Sequence, residues 1–407
     1  MTDNQKVYSI TNHCRLCNHS KLVKRFFIKT PLANNLLNHK IEKVDSYPLT
    51  VIQCEECGAV QLKESVNPNL LFSYYLYASS QSGNSKNHFE QYAKEVLEFC
   101  KINTKELIVE IGGNDGVLAY PIKKMGYNVI NVEPAQNLAK ISKSKGILTK
   151  NSFFDKSTVD TIVKEYGKAK LIITNNCFAH IPDIQKLLKN ICLLLNNNGW
   201  FVFENAYYLD TIQNLYFDQY YHEHIFYHLV KPLVKLLNGY GLEIKKIERN
   251  NQQGGSIRVF SKKTNQINND IITKSFIQNE ETVGMYNNEI YQSFNQKLDS
   301  IKNELFKIIT KLKKQNKTIT GYGYPAKATT FLSYFKIAPF LDYIVEDSEM
   351  KVGKFSPLDN IPIVNKQHFI ENPPDSCIIL AWNFSDLIKK NNPHFKKWLT
   401  VLPKIIQ

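Results

Sequence analysis

The stretch that most constrains the fold is residues 107–120, LIVEIGGNDGVLAY. An apolar run ends in Glu110 and Ile111, breaks into a glycine-rich turn, and is followed by apolar residues at helical spacing. This order predicts a strand, a tight turn and a helix, because glycine tolerates positive φ and lets a ligand approach the backbone. Unpaired N–H groups at the start of the helix favour ligand binding at the same place. The stretch therefore predicts a Rossmann-like domain with a small-molecule site at this turn.

Two acidic residues narrow the choice of ligand. Glu133 follows the next apolar run and is placed to accept hydrogen bonds from ribose hydroxyls. Glu110 stands just before the turn, where it would repel the pyrophosphate of a dinucleotide. The pattern E-x-G-x-N-x-G instead resembles the S-adenosylmethionine site of class I methyltransferases, and a purely structural turn is the alternative. The cofactor contacts expected from this pattern are Glu110, Gly112, Asn114, Gly116 and Glu133.

Four cysteines near the amino terminus predict a metal site. They form two pairs with CxxC spacing, Cys14 with Cys17 and Cys54 with Cys57. In a chain that starts without a secretion signal, two such pairs indicate tetrahedral zinc bound by four thiolates. Four protein ligands leave no open position, so the zinc is expected to be structural. Disulfides are the weaker alternative, since a reducing compartment disfavours them.

Length, charge and hydropathy bound the class of protein. A chain of 407 residues is long enough for two or three domains. No apolar run approaches the ~20 residues that span a bilayer, so we expect a cytoplasmic protein without membrane contact. The net charge of +14 comes from dispersed lysines, which fits solvated surfaces and an anionic small substrate better than a nucleic-acid partner. The oligomeric state is not indicated, and a monomer is consistent with the sequence.

The middle of the chain alternates as α/β proteins do. Residues 171–173 read as a strand with Asn175 after its carboxyl end, where open α/β sheets bind ligands. Residues 241–263 are predicted to form a hairpin-like strand pair that completes a methyltransferase-like sheet. Residues 217–227, FDQYYHEHIFY, lie between these strands. Their histidines and tyrosines are residue types that act as general acids and bases. A polar turn packed on aromatic residues is the alternative. His222 and His224 would face apart on a helix, which argues against a metalloprotease site.

The carboxyl-terminal part predicts a second Rossmann-like unit. A long helical stretch is expected over about residues 270–316, followed by a strand and a second glycine turn, TITGYGYPAK, at residues 318–327. Lys327 at the start of the next helix could bind phosphate, and a purely structural turn is an equal alternative. The domain prediction is a zinc-binding domain at 1–70, a methyltransferase domain at 71–263 and a second Rossmann-like domain at 264–407.

Together the motifs resemble the 3-C-methyltransferases that methylate nucleotide-linked 4-keto deoxysugars. The resemblance covers almost the full length of the chain. The motifs that carry it are the two CxxC pairs, PLAN from Pro31, YxSSxS from Tyr77, EIGGNDG, VEP, NNCFAHIPD, YHEH, GGSIR from Gly254, GYGYPAKATT and LAWNF from Leu380. The resemblance implies structural zinc, S-adenosylmethionine in the middle domain, and a nucleotide-sugar substrate in a cleft completed by the last domain.

The resemblance also implies roles for individual residues. His224 is the expected general base, and Tyr221, Glu223, His180 and Tyr77 are its expected catalytic neighbours. Further cofactor contacts are expected at Ser80, Pro134 and Asn175. Substrate contacts are expected at Tyr221, Arg258, Tyr324 and Lys327. Gln253, Tyr324 and Ala328 depart from the family pattern, which leaves the nucleotide and the sugar open.

Two other functions fit parts of the sequence. O-methylation of a sugar hydroxyl needs a base but no neighbouring ketone. A non-catalytic, zinc-bearing nucleotide-binding protein would need neither the YHEH segment nor Glu133.

Overall fold

The computed structural model describes residues 7–81, 85–268 and 271–406. Within these residues the strands form four sheets, of two, four, seven and five strands. In the same part of the chain, no helix is both long and apolar enough to cross a membrane. Ser82, the last serine of the YxSSxS motif, lies outside the described residues.

The amino-terminal region is built on short antiparallel strands. Strands β2, β3 and β4 pair in order, and β1 pairs with β5. The first cysteine pair lies in the loop between β1 and β2, and the second pair lies at the end of β3 and in the turn after it. The elements are β1 (Tyr8–Ile10), β2 (Leu22–Thr30), β3 (Tyr47–Cys54), β4 (Val60–Leu62), β5 (Glu64–Val66) and α1 (Pro68–Phe72).

The middle region contains the seven-stranded sheet. Its helices and strands alternate along the chain as predicted. They are α2 (Ser85–Phe99), β6 (Leu107–Ile111), α3 (Ala119–Lys124), β7 (Asn128–Val132), α4 (Gln136–Ser144), β8 (Leu148–Lys150), α5 (Lys156–Tyr166), β9 (Ala169–Asn175), α6 (Ile184–Leu194), β10 (Leu195–Ala206), α7 (Tyr208–Gln213), β11 (Phe226–Tyr227), α8 (Val230–Asn238), β12 (Leu242–Asn250) and β13 (Ser256–Lys263).

The order of the strands in this sheet is β12-β13-β10-β9-β6-β7-β8. Strand β13 runs antiparallel to both of its neighbours: it pairs with β12, as the predicted hairpin requires, and with β10. Strand β6 lies in the middle and is buried on both faces: Ile108 packs under α2 and α3, and Val109 packs in the opposite layer. Because the carboxyl ends of parallel strands share one edge, the loops after β6, β7, β9 and β10 meet there.

The carboxyl-terminal region carries a five-stranded parallel sheet, with the order β16-β15-β14-β17-β18. It confirms the predicted second Rossmann-like unit and completes the predicted α/β class. Its elements, with the two helices before it, are α9 (Ile271–Val283), α10 (Asn288–Lys314), β14 (Ile319–Tyr322), α11 (Ala328–Phe335), β15 (Ile344–Val345), β16 (Ile363–Val364), α12 (Lys366–Glu371), β17 (Ser376–Ile379), α13 (Ser385–Asn391) and β18 (Trp398–Leu399).

The helical stretch expected over residues 270–316 is formed by two helices, α9 and α10. The chain breaks at Gly284, which has a φ of +85°. Before the break, α9 packs on α8 and β12, and its buried Glu280 accepts hydrogen bonds from Tyr207 and the backbone of Val230. After the break, α10 packs on α7 and α11. Apolar periodicity continues through the break and therefore conceals it.

The amino-terminal and middle regions share one sheet. Strand β11, from the middle region, extends the amino-terminal sheet by pairing with β4. Its neighbouring turn, which contains the YHEH motif, therefore lies against the zinc-binding region.

Candidate active site

A cleft of about 630 Å³ opens at the carboxyl edge of the seven-stranded sheet. This volume is in the usual range for small-ligand sites. All three regions contribute to its walls: Asn34 comes from the first, the strand-end loops from the second, and the turns at Pro325 and Trp382 from the third. The cleft therefore has a side formed by the methyltransferase-like sheet and a side formed by the last domain.

The glycine turn after β6 leaves no room for side chains. Gly112 has a φ of +64°, and a Cβ atom there would lie 2.5 Å from Sγ of Cys177. A Cβ atom on Gly113 would lie 2.4 Å from the Asn131 side chain and 2.6 Å from the Glu110 carboxyl carbon. Both glycines line the cleft. Gly116 does not line it and packs instead against Ile147, so its role is to shape the turn.

Glu133, which follows β7, is held by two backbone N–H groups. Its Oε2 accepts from the amide of Asn114 and its Oε1 from the amide of Ala135, both at 2.8 Å. Each oxygen keeps a lone pair, and the residue lines the cleft beside Pro134. Burial raises the pKa of Glu133 to about 7, while the two amides oppose that shift. The carboxylate is thus fixed at the cleft wall, where it can accept hydrogen bonds from the hydroxyl groups of a ligand.

Glu110 lies behind the glycine turn and is buried. Burial raises the pKa of its carboxyl to about 8. Its Oε2 has no hydrogen-bond partner among the described residues. A cationic ligand group in the adjacent cleft would favour the charged carboxylate and lower this pKa.

Several buried polar atoms in the cleft lack a partner within the described part of the chain. Both side-chain atoms of Asn175 and Oδ1 of Asn205 belong to this set. Buried amides are normally hydrogen-bonded, so these atoms indicate a polar ligand. Together with Glu110 and Glu133 they fit the ribose, amino-acid and sulfonium groups of S-adenosylmethionine. Asn205 was not predicted, although it lies at the carboxyl end of β10.

The segment before α2 closes over the glycine turn. The backbone amide of Ser79 donates to Oδ1 of Asn114, and Nδ2 of Asn114 donates to the carbonyl of Tyr77, both at 3.0 Å. Tyr77 and Ser79 line the cleft, whereas the hydroxyl of Ser80 bonds Asp115 outside it. The predicted contact of Ser80 with the cofactor is therefore replaced in the structure by a contact that holds the turn.

We predict that Glu133→Gln weakens binding of S-adenosylhomocysteine by about 10–100-fold, because hydrogen bonds to charged groups contribute about 1.5–3 kcal/mol. Isothermal titration calorimetry measures the affinity. Glu165→Gln is the matched control, since Glu165 is exposed and pairs with Lys150 on α5's outer side. Equal affinities for the two variants would show that Glu133 does not bind the ribose of the cofactor.

His224 lies where the two halves of the cleft meet. Its Nδ1 is 3.0 Å from the carbonyl oxygen of Gln219, and its Nε2 is 2.6 Å from the hydroxyl of Tyr221. Because a carbonyl only accepts, Nδ1 carries the proton and Nε2 presents a lone pair. Burial, with the nearby His180, holds the pKa of His224 well below its ordinary value. The imidazole is therefore neutral and able to accept a proton.

His180 is the second histidine of this wall. Its ring lies 5.1 Å from that of His224 and stacks on Phe72. Burial lowers its pKa to about 4, and its Nε2 has no hydrogen-bond partner among the described residues. The structure thus brings together His224, Tyr221, His180 and Tyr77 on the cleft wall, as expected.

Glu223 supports the cleft from behind rather than lining it. Its Oε1 accepts from Nδ2 of Asn34 at 2.8 Å, and its Oε2 accepts from the hydroxyl of Tyr75 at 2.6 Å. Both partners line the cleft. Its neighbour His222 turns the other way, towards the carbonyl of Pro48. The two histidines of YHEH face apart as expected, on a turn rather than a helix.

Of the expected substrate contacts in the last domain, Lys327 lines the cleft and Tyr324 does not. The hydroxyl of Tyr324 is buried against Thr329 and Ser356. This placement differs from the predicted one because the side chain points into the domain core.

Arg258 also lies outside the cleft lining, contrary to expectation. It sits on β13 beneath α2, where its guanidinium pairs with Glu204 and Glu95 and stacks on Tyr92. The carboxylate of Glu204 also bonds Nε2 of His88 at 2.8 Å, and both of these residues do line the cleft. Sequence reasoning missed this pair. The position of Glu204 at the carboxyl end of a core strand was the available signal.

The four predicted cysteines form a compact cluster. Their Sγ atoms all lie within 4.8 Å of one another, with 3.6 Å between Cys14 and Cys57 and between Cys17 and Cys54. Thiolates at 2.3 Å from a tetrahedral zinc are separated by about 3.8 Å, so the cluster fits the metal. His13 and His19 do not belong to it.

Three family models match the chain in succession. They are a zinc binding domain at residues 14–72, a methyltransferase domain at residues 85–247 and a C-methyltransferase C-terminal domain at residues 251–403. The chain is 28% identical over 397 residues to the C-methyltransferase NovU of Streptomyces niveus, which covers 96% of this chain and 94% of that protein.

Solved methyltransferase structures match a smaller part of the chain. Magnesium protoporphyrin IX methyltransferase from Synechocystis PCC 6803 is 12% identical with a TM-score of 0.34, over 44% of this chain and 81% of that one. An S-adenosylmethionine-dependent methyltransferase from Clostridium acetobutylicum is 14% identical with a TM-score of 0.36, over 45% and 93%.

Proposed function

We propose that this chain, which three family models match in succession, the last of them that of a C-methyltransferase C-terminal domain, methylates C3 of a nucleotide-linked 4-keto-6-deoxysugar through an enolate. The observation that carries this proposal is the neutral His224, whose Nδ1 is fixed by Gln219 and whose Nε2 presents its lone pair at the cleft wall. S-adenosylmethionine supplies, when bound, an electrophilic methyl group.

His224 supplies the base that such a reaction needs. A C–H bond beside a ketone is acidic because its conjugate base is an enolate, and a neutral imidazole can remove that proton. The hydroxyl of Tyr221 donates to Nε2 of His224 in the structure. Substrate entering the cleft displaces this contact, which frees Nε2 for the carbon acid and the tyrosine hydroxyl for an oxygen of the sugar.

Donors around the cleft support the developing oxygen charge. The hydroxyl of Tyr221 lies beside His224 and Tyr77 lines the same wall, whereas the hydroxyl of Tyr75 donates to Glu223. Preorganised donors in a water-poor site stabilise an enolate oxygen more strongly than water does. Glu223 fixes Tyr75 and Asn34 by hydrogen bonds and so acts through them.

The extension of the cleft onto the last domain supports an anionic substrate. Lys327 and Lys351 both line this end and are both buried. Lys351 already lies 3.6 Å from the carboxylate of Glu346. Among the described residues no carboxylate lies within 4 Å of the Lys327 ammonium, and a nucleoside diphosphate would give this buried charge a close anionic partner. The residues therefore favour a nucleotide sugar with the sugar towards His224.

Hydrogen exchange tests the enolate directly. In deuterium oxide, with S-adenosylhomocysteine in place of the methyl donor, the enzyme is expected to exchange the C3 proton of a nucleoside diphosphate 4-keto-6-deoxyglucose. Proton NMR follows the loss of the C3 signal. The matched compound with a hydroxyl at C4 should show no exchange. Methyl transfer to that hydroxyl compound at a comparable rate would instead support O-methylation.

A further inference from the structure

The indole of Trp382 forms part of the cleft wall and is packed on both faces. Tyr216 stacks against it with ring centroids 3.8 Å apart and an interplanar angle of 15°. The ammonium of Lys327 lies 3.4 Å from the indole centroid. Since both groups are in van der Waals contact with the ring, they occupy opposite faces. Trp382 therefore serves as a platform for the lysine rather than for a stacked base.

Asp218 holds this platform from inside the protein. It is fully buried, and its Oδ2 accepts from Nε1 of Trp382 at 2.6 Å. Its second oxygen, Oδ1, has no hydrogen-bond partner in the described part of the chain. A buried carboxylate is costly, and the same indole bond could be accepted by an uncharged amide. The hydrogen bond to the indole therefore does not by itself explain why a carboxylate occupies this position.

Lys327, which contacts the same indole, accounts for the negative charge of Asp218. Burial raises the pKa of Asp218 and lowers that of Lys327, and the charge of each group opposes the shift of the other. An ammonium has three N–H donors. One donates to Oδ1 of Asn383 at 2.9 Å and one side rests on the indole face. Among the described residues no second acceptor bonds this ammonium, which leaves a donor for a ligand in the cleft.

The segment that carries Asp218 also orients the base. The 3₁₀ turn Phe217–Gln219 contains Asp218 and the carbonyl of Gln219 that fixes His224. The next carbonyl, of Tyr220, accepts from the hydroxyl of Thr330 on α11 at 2.6 Å. This short segment therefore positions both His224 and, through Asp218 and Trp382, Lys327 at the boundary between the two domains.

We propose that Asp218 is a positioning residue which, through Trp382, keeps the Lys327 ammonium charged and directed into the cleft to bind an anionic oxygen of the substrate. This inference rests on the proposed function. The anionic oxygen belongs either to the diphosphate, which is present before the reaction, or to the enolate, which forms only during it. Loss of the lysine charge would therefore act on substrate affinity in the first case and on kcat in the second.

The sign of the pH dependence follows from the surroundings of Lys327. Burial lowers its pKa to about 8, and the charge of Asp218 opposes that shift. His224, whose pKa lies below its ordinary value, and Lys351 and Asp386 share the same cleft. Removing the charge of Asp218 lowers the pKa of Lys327 further. The alkaline loss of anion binding then moves from about pH 8 to lower pH.

The test compares wild type with Asp218→Asn between pH 7 and 9. Calorimetry with ADP, GDP, UDP and TDP selects the tightest binder, and steady-state kinetics with a 4-keto nucleotide sugar gives kcat and KM. At pH 8 the variant is expected to bind the diphosphate, or to turn over, about 10–100-fold less well. The loss of binding or activity at alkaline pH should occur at lower pH in this variant than in wild type. In Lys327→Met this alkaline loss should be absent. Asp299→Asn, an exposed residue of α10 that bonds Tyr334, is the matched control.

Each outcome bears on the inference. A loss in diphosphate affinity assigns Lys327 to the phosphates, and a loss in kcat alone assigns it to the enolate oxygen. Parallel pH profiles of wild type and Asp218→Asn overturn the inference while leaving the proposed function intact. If Asp218→Asn does not fold, Trp382→Phe removes the same indole bond but keeps the charge of Asp218. This variant should lower diphosphate affinity or kcat while its alkaline loss stays near the pH of wild type, and unchanged affinity and kcat would overturn the inference. Failure of wild type to bind any of the four diphosphates, with S-adenosylhomocysteine bound, counts against the proposed function itself.

Discussion

Replacing His224 by alanine is expected to lower kcat for methyl transfer by about 10²–10⁴-fold, the usual contribution of a general base. The side chain removed is the neutral imidazole whose Nδ1–H is bound by Gln219. Exchange of the C3 proton in deuterium oxide should fall by the same factor, because both reactions begin with the same proton transfer. Affinity for S-adenosylhomocysteine should stay within about twofold, since the contacts that fit the cofactor lie at Glu133 and the glycine turn.

His222→Ala is the matched control, because it truncates a buried histidine of the same turn that faces Pro48 instead of the cleft. We expect it to lower thermal stability and to retain kcat within about tenfold. If His224→Ala and His222→Ala lose activity equally, the effect comes from the turn and not from a base. Retained C3 exchange in His224→Ala would place the base on another residue, with His180 the nearest candidate on the wall.

Cys57→Ser is expected to cause the largest loss of stability. Structural zinc contributes about 10–16 kcal/mol to the folding of isolated zinc-finger peptides, and removing one of four thiolates takes away much of that. We predict one zinc per chain by plasma emission spectroscopy and less than one in the variant. The thermal transition should also fall, and a chelator should lower it in wild type but not further in the variant.

Cys192→Ser provides the comparison, since Cys192 is half-buried outside the cluster and its Sγ donates to the carbonyl of Tyr240, a bond that serine can replace. It should keep both its zinc and its transition temperature. The metal is not expected to act in the chemistry, so the fraction of Cys57→Ser that folds should still methylate. Absence of zinc from correctly folded wild type would overturn the assignment of the cluster.

The cofactor half of the site could be predicted from the sequence because its parts lie close together in the chain. Glu110, the glycine turn and Glu133 belong to one strand–turn–helix–strand unit, and local spacing fixes their geometry. The α/β class, the S-adenosylmethionine cofactor and the four-cysteine zinc cluster are confirmed by the topology, the family matches and the geometry. The roles of individual residues stay predictions.

The substrate half was less predictable because it is assembled from distant segments. Asp218 and Trp382 are 164 residues apart and meet only when the two domains pack. No periodicity in either segment indicates that contact. The motifs that contain Arg258 and Tyr324 were visible, but a motif does not state the direction of a side chain. Strand pairing turns Arg258 towards Glu204, and packing turns Tyr324 into the domain core.

The position of the transferred methyl group tests the central claim most directly. The enzyme is incubated with S-adenosylmethionine carrying carbon-13 in its sulfonium methyl group and with a nucleoside diphosphate 4-keto-6-deoxyglucose. Carbon–proton correlation NMR then identifies the atom to which the labelled methyl is attached. We predict a carbon–carbon bond to C3, with no hydrogen left on that carbon. A labelled methyl attached to oxygen would contradict the enolate route and the assignment of His224 as its base.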